Sequence, residues 1–254
     1  MDVNKNSYTF GFAAIMVIIV AALLSGSYIK LKPFQDRNIE LEKKQNILNS
    51  VGISVERDAA EKAYTTYIKS ELVLNNKGKE VEGSAFNIDL GAELKKSSEE
   101  QLLPLFISKV DGATRYIIPL RGKGLWGPIW GFISLEDDLN KVFGAVFDHK
   151  GETPGLGSEI NKAFFQDQFT GKTIFEGDEF TSITIVKGGA DEDDMHGVDA
   201  ISGGTITSDG VSEMLSERLS MYIPYFNNMK AAIEVKQVMA EMDSIITVND
   251  SITP

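Results

Sequence analysis

Residues Asn6 to Ile29 carry no charged side chain, and Phe10 to Leu24 is unbroken apolar sequence apart from Gly11. With Ser25 to Ile29 the run reaches the roughly 20 residues that a helix needs to cross bilayer hydrocarbon. A helix apolar on every side does not belong on the outside of a soluble domain. The first division of the chain follows: a short tail over 1–8, a transmembrane helix over 9–29, and a polar remainder. A cleaved signal peptide, with Ser25-Gly26-Ser27 as its small-residue cleavage site, is the competing reading. A basic leader of Lys5 alone, and the length of the run, favour a retained anchor. Lys30, Lys32, Arg37, Lys43 and Lys44 follow the span. Taken by itself, this lysine and arginine excess places the large domain in the cytoplasm.

The remaining length is enough for one substantial domain. A formal net charge of -12 with no long basic run argues against a nucleic-acid partner. The chain has no cysteine. That excludes disulfides, a thiolate nucleophile and a cysteine-ligated iron–sulfur cluster within it. His149 and His196 are the only histidines, so a histidine-rich metal site is not expected.

A helical segment is predicted over 30–70, as a polar helix from Pro33 to about Glu56 and a second from Ala59 to Ser70. Asn75-Asn76-Lys77-Gly78 reads as a turn, and Val81 to Leu90 as short strands or loops. Residues 91–101 are polar and predicted to be exposed. Strand-like runs follow at Tyr116–Leu120, Phe132–Leu135 and Val142–Phe147, separated by glycine-rich turns, so an antiparallel sheet is expected. Gly122-Lys123-Gly124 is a weak phosphate signal; the plainer reading is a hairpin turn carrying a core tryptophan, Trp126. Pro and Gly between Asp148 and Gly157 force a fixed turn, where Thr153 and free amides could line a pocket. Ser158 to Phe169 reads as a short helix containing Ile160, Ala163 and Phe164. Lys172–Glu176 and Ile183–Val186 read as strands, and Ala231–Met242 as a terminal helix. The acidic run Asp191 to Asp194 lacks EF-hand spacing and reads as a solvated loop. His149 reads as a structural turn residue.

Asp199-Ala-Ile-Ser202-Gly203-Gly204-Thr205-Ile-Thr207-Ser208 leads into a run with Val211, Met214, Leu215, Leu219 and Tyr222 at helical spacing. A turn feeding a helix is expected, with Thr207 or Ser208 as N-cap. Free N–H groups and a positive dipole end suit that helix start to a phosphate. An ordinary Gly-Gly loop gives the same local pattern.

The spacing Asp199-x-x-Ser202-Gly203-x-Thr205 resembles the signature read by bacterial flavin transferases, which attach FMN through its phosphate to the threonine. Gly204 stands where that signature usually has alanine. Two further stretches precede it: Arg121-Gly-Lys-Gly-Leu-Trp126 with Trp130-Gly-Phe132, and Gly151-Glu-Thr-Pro-Gly-Leu-Gly157. In this order, after one span, they resemble the family of C subunits of sodium-translocating NADH:quinone oxidoreductases. The G subunits of the Rnf electron-transport complex share the second stretch and the threonine. The Gly-Leu-Trp-Gly run and the chain length favour the first family.

The resemblance implies an α+β fold: an FMN-binding domain over 71–228, with an antiparallel sheet and flanking helices, on one membrane helix. A C-terminal helix and tail would occupy 229–254. It implies FMN esterified to Thr205 and a one-electron relay between an intramembrane iron–sulfur centre and the flavin of the large B-type neighbour. Electrons would come from NADH on the F-type neighbour and end on quinone. Partners would be the other members of the complex, of the A, B, D, E and F types, and a flavin transferase. The location implied is the bacterial inner membrane with the flavin domain outside the cytoplasm, against the charge count. Backbone and hydroxyl donors of Thr153, Gly155, Ser202 and Thr207 would hold phosphate or ring edges, with Leu125, Trp126 and Leu156 on the isoalloxazine, and Asp199, Gly203, Gly204 and Glu152 complete the implied cofactor site. No catalytic base and no metal site are expected, which suits a relay. A membrane-anchored binding or assembly protein without flavin, and a free-standing FMN reductase, are the alternative functions.

Overall fold

The computed structural model describes residues 6–231. Its first element is a single helix, α1, Asn6–Asn49, with Pro33 inside it. The helix contains a stretch long and apolar enough to cross a membrane, none of it buried against the protein. In place of the two expected helices, span and polar segment form one rod. Pro33 lacks an N–H and removes one intrahelical bond, which an exposed helix tolerates by bending or by solvent contact. The rod stops at Asn49, short of Glu56, because the chain turns through Gly52 at φ +77°.

Beyond α1 come α2 (Ala60–Tyr67), β1 (Ile68–Leu74), β2 (Glu80–Val81) and the one-turn helix α3 (Leu90–Glu93). Then follow β3 (Leu103–Val110), β4 (Ala113–Lys123), β5 (Pro128–Leu135) and β6 (Val142–His149). Strands β1 to β6 form one antiparallel sheet in the order β2-β1-β3-β4-β5-β6. Because side chains alternate across a strand, each strand feeds two cores. Ile117 and Phe132 face the end of α1 and α2, packing with Ile47, Leu48, Val51 and Tyr64. Their neighbours Ile118 and Ile133 face the other way. There they meet α5 (Thr205–Ser220) through Val211, Met214, Leu215 and Leu219, all buried. Tyr222 follows and donates from its hydroxyl to the Pro104 carbonyl at 2.7 Å. The antiparallel sheet and the inward stripe of α5 therefore stand where the sequence puts them. Between β6 and α5 lie α4 (Ala163–Gln166), the small strands β7 (Phe175–Glu176) and β8 (Glu179–Phe180), and the parallel pair β9 (Thr184–Val186) and β10 (Gly197–Asp199).

Several expectations are corrected. Ile68–Ser70 are strand and not helix: Ile68 pairs with Ser108 and Ser70 with Ile107, so the sheet begins three residues before the expected domain boundary at 71. Residues 91–101 are not uniformly exposed. Glu93 is buried and accepts from the Leu102 N–H at 2.9 Å and from Lys96, while Gln101 accepts from Arg218 at 3.1 Å. The segment from Ser158 to Phe169 is not one helix. Lys162 is extended, at φ −97° and ψ 147°, and splits it into a 3-10 turn over Gly157–Asn161, α4, and a 3-10 turn over Asp167–Phe169. The changed period buries Ile160, Phe165 and Phe169 and leaves Phe164 exposed. Of Lys172–Glu176 only β7 is strand. In the acidic run Asp194 is engaged internally, its carboxylate accepting from His196 N–H and its carbonyl from Lys172. The expected helix over 231–242 lies outside the described residues, apart from Ala231.

Candidate functional site

Three stretches that are distant in sequence meet at the end of the sheet. The first is the tip of the β4–β5 hairpin, closed by Gly124 N–H donating to Gly127 carbonyl at 2.8 Å. The second is the loop from His149 to Gly157. Its fold is pinned by Glu152 N–H donating to His149 Nδ1 at 3.1 Å and by two donations onto the Thr153 carbonyl, from Leu156 and Ser158. His149 is thus a turn-holding residue. The third is the start of α5.

One carboxylate ties the three together. Glu152 is 5% exposed. Its Oε1 accepts from the Trp126 N–H at 2.8 Å, and its Oε2 accepts from Thr207 Oγ1 at 2.7 Å. Each carboxylate oxygen therefore reaches a different stretch. A Cβ at Gly157 would fall on Thr207 Oγ1 and 2.8 Å from Glu152 Oε2, so only glycine permits this approach.

The helix start differs from the sequence expectation. Gly204, not Thr207 or Ser208, is the N-cap, and it offers no side-chain bond. Gly203, at φ +72°, supplies the left-handed step that turns the chain into the helix. Thr205 is the first helical residue. Thr207 sits at the third position, where it is committed to Glu152, and Ser208 Oγ accepts from Ile201 N–H at 3.3 Å. The first turn therefore keeps its N–H groups of Thr205, Ile206 and Thr207 without intrahelical partners, and the dipole adds positive character there.

A cavity of about 190 Å³ opens at this point. Leu125, Glu152, Thr153, Leu156, Gly203, Gly204, Thr205 and Thr207 line it, together with Gly157 and Ile206. The structure thus brings eight of the twelve residues singled out from the sequence to one cavity. Trp126 flanks it at 69% exposure, so it is not the core tryptophan of the plainer hairpin reading. Ser202 is exposed on the preceding turn. Gly155 uses its N–H on Glu159 at 3.0 Å. Asp199 faces away, its carboxylate accepting from Ala190 N–H at 2.8 Å and its own N–H bonded to Gln168. Ile206 escapes sequence reasoning, and Gly157, read there only as part of the turn, joins the lining. Ile206 lies off the buried stripe of α5, at 57% exposure, which is the signal that it serves something outside the core.

The residues fit an FMN held by its phosphate. Thr205 is exposed at the mouth, unpaired amides surround it, and no basic side chain is needed where a helix start meets an anion. The cavity is smaller than the roughly 300 Å³ of a whole-ligand pocket, so the flat ring system would rest against the open rim. That rim is apolar: Leu125, Trp126, Leu156 and Ile206 are all 40% exposed or more.

A larger cleft of about 460 Å³ lies on the opposite face of the sheet, between α1 and β4–β5. Only the smaller cavity falls wholly within residues 124–220, which match the FMN-binding domain family. The chain is 31% identical over 255 residues to the C subunit of the Na(+)-translocating NADH-quinone reductase of Pasteurella multocida, covering 90% of this chain and 98% of that one. Its counterpart in Vibrio alginolyticus is 30% identical, over 80% of this chain and 86% of its own length. Among solved structures, the C subunit from Parabacteroides distasonis superposes with a TM-score of 0.72 at 45% identity, covering 77% of this chain and 96% of that chain. NqrC from Shewanella oneidensis gives 0.67 at 26% identity, covering 76% and 98%. The chain belongs to the family of C subunits of Na(+)-translocating NADH-quinone reductases, and it carries that family's FMN-binding domain.

Proposed function

We propose that this chain is a covalently flavinylated electron relay, with FMN esterified through its phosphate to Thr205 Oγ1. It works as one component of a sodium-pumping NADH:quinone reductase in the bacterial inner membrane. The observation that carries the reading is the placement of Thr205: the first helical residue of α5, exposed, at the mouth of a cavity lined by unpaired amides. A bound FMN supplies the capacity to accept and pass on single electrons.

The chain's own residues supply position and insulation. The first-turn amides of α5 stabilise a phosphate charge. Glu152 locks the hairpin tip and the 149–157 loop to α5, so the walls keep fixed distances. Leu125, Trp126, Leu156 and Ile206 present apolar surface for a flat ring and limit water beside it. The covalent link keeps the group from diffusing between turnovers. Nothing in this arrangement calls for a proton-transfer base.

The test is substitution of Thr205 with the chain produced beside a flavin transferase. Thr205→Val is expected to abolish in-gel flavin fluorescence and the FMN increment in intact mass. Valine has threonine's shape, so the thermal unfolding midpoint should stay within about 3 °C of the flavin-free wild type, the shift of a sub-kcal/mol change. Full flavin retention in Thr205→Val, or peptide mass spectrometry placing the phosphate on Thr207, overturns the assignment.

A further inference from the structure

The larger cleft lies between the domain end of α1 and the sheet, on the face away from the candidate FMN site. Ile39, Lys43 and Asn46 line one wall from α1, at helical spacing. Pro119, Arg121 and Trp130 line the other. Arg121 and Trp130 are directly paired across β4 and β5. The covered part of this sheet face ends at Phe106, Ile117 and Phe132, against which the end of α1 packs. The remainder is bordered by Ile88, Asp89 and Leu90 at the start of α3 and by Ile39, Lys43 and Asn46 of α1, and the cleft opens between them.

Three observations say what covers it. The first is charge. Lys43 is engaged, donating from Nζ to the Phe86 carbonyl and lying 4.6 Å from the Phe86 ring centre. Asp89, also at the cleft, accepts from Gly91 N–H. Arg121 makes no ion pair or side-chain hydrogen bond among the described residues. It is packed beneath α3, where a Cβ on Gly91 would come within 3.0 Å of its Nε. A partly buried guanidinium without a hydrogen-bond partner among the described residues suits a carboxylate. Glu42, on the α1 side, is exposed and leaves that wall's rim to water.

The second is apolarity. Ile39 stands 63% exposed on α1, and Pro119, Trp130 and Phe132 line the cleft with it. The third is height. At 1.5 Å per residue, Ile39 lies about 15 Å and Asn46 about 25 Å beyond Ile29 along the helix. The headgroup layer is only about 5–8 Å deep on each side, so a lipid seated in the bilayer does not reach.

We propose that this cleft is the docking socket for a polypeptide segment of a membrane partner, one that presents an apolar side chain into the cleft and a carboxylate to Arg121. The proposal rests on the reading of the chain as one component of a membrane complex. It assigns the face by which the stalk and the sheet jointly hold their neighbour.

The experiment uses the full chain produced with the other members of its complex and purified in detergent. A photo-crosslinking benzoylphenylalanine replaces Ile39, and the membranes are irradiated before purification. The expected product is an adduct with another polypeptide, mapped to a peptide containing Asp or Glu. A phospholipid or small-molecule adduct overturns the proposal, as does an assembled complex without any polypeptide adduct. In parallel, Arg121→Glu is expected to lower the partner chains recovered per copy of this chain about tenfold, whereas Arg121→Lys keeps most of them. Flavin fluorescence reports that the variants fold. Full recovery with Arg121→Glu sinks the idea. Loss of flavin from the unmodified chain in an intact complex would count against the relay reading and leave the docking result standing.

Discussion

At the scale of single residues, Glu152 decides whether the candidate site exists. Its two oxygens take hydrogen bonds from residues 26 and 55 positions away. Thr207 is one of those partners, so its hydroxyl is structural. Thr207→Val removes the donor and leaves a buried carboxylate oxygen unpaired. That omission is expected to cost about 2 kcal/mol, read as a lower thermal unfolding midpoint, while Thr205 still takes its flavin at reduced yield. An unchanged midpoint would mean that water replaces the hydroxyl. The motif containing Thr205 is legible in the sequence, because turn glycines and hydroxyls cluster before a helical stripe. The Glu152 bridge is not, because nothing local to a glutamate says which distant hydroxyl it meets. The N-cap eludes the sequence for a related reason. Thr207 and Ser208 suit caps by type, but tertiary contacts claim both side chains and the cap passes to Gly204.

At the scale of elements, the short helix α3 is held by Glu93, whose position in a polar run suggests exposure. Burial alone would raise its pKa, but the Leu102 N–H and Lys96 overcome that and hold the carboxyl below the ordinary value of 4.5. A depressed folded-state pKa stabilises the fold above the unfolded value, and this contribution is lost as pH falls through the folded one. Glu93→Gln should therefore unfold at a lower temperature than wild type at pH 7, and the gap should narrow as the pH falls below about 4. A gap that is constant with pH would show that the charge of Glu93 plays no part. Elements such as β4 and β5 are legible as short apolar runs between glycine-rich turns, because both faces of those strands are buried. The segment from Ser158 to Phe169 is not, since a helix and a chain of 3-10 turns bury apolar residues at similar intervals. Ile68 likewise takes the strand because β3 is there to pair with it.

At the scale of the whole molecule, the orientation across the membrane is open to direct measurement. The anchor is expected to be retained and the domain to lie outside the cytoplasm. N-terminal sequencing of the native protein should find residues before Ser25, and protease added to intact spheroplasts should digest the domain. Digestion only in inside-out vesicles would establish the opposite orientation, the one favoured by the lysines after the span. Pro33 in the sequence suggests a break, yet the span and the polar helix behind it are one rod, and Ile47 and Leu48 near its end are fully buried in the domain. That rod has a consequence for encounter kinetics. A flexible tether of some 20 residues would let the domain roam over roughly 25 Å and meet its redox neighbours at a millimolar effective concentration. A helix rooted in the core removes most of that search, leaving rocking about Pro33 as the principal freedom. For the electron relay proposed above, hand-over would then behave as a first-order step, its rate set by how often a stiff post leans the right way and not by how often two partners collide.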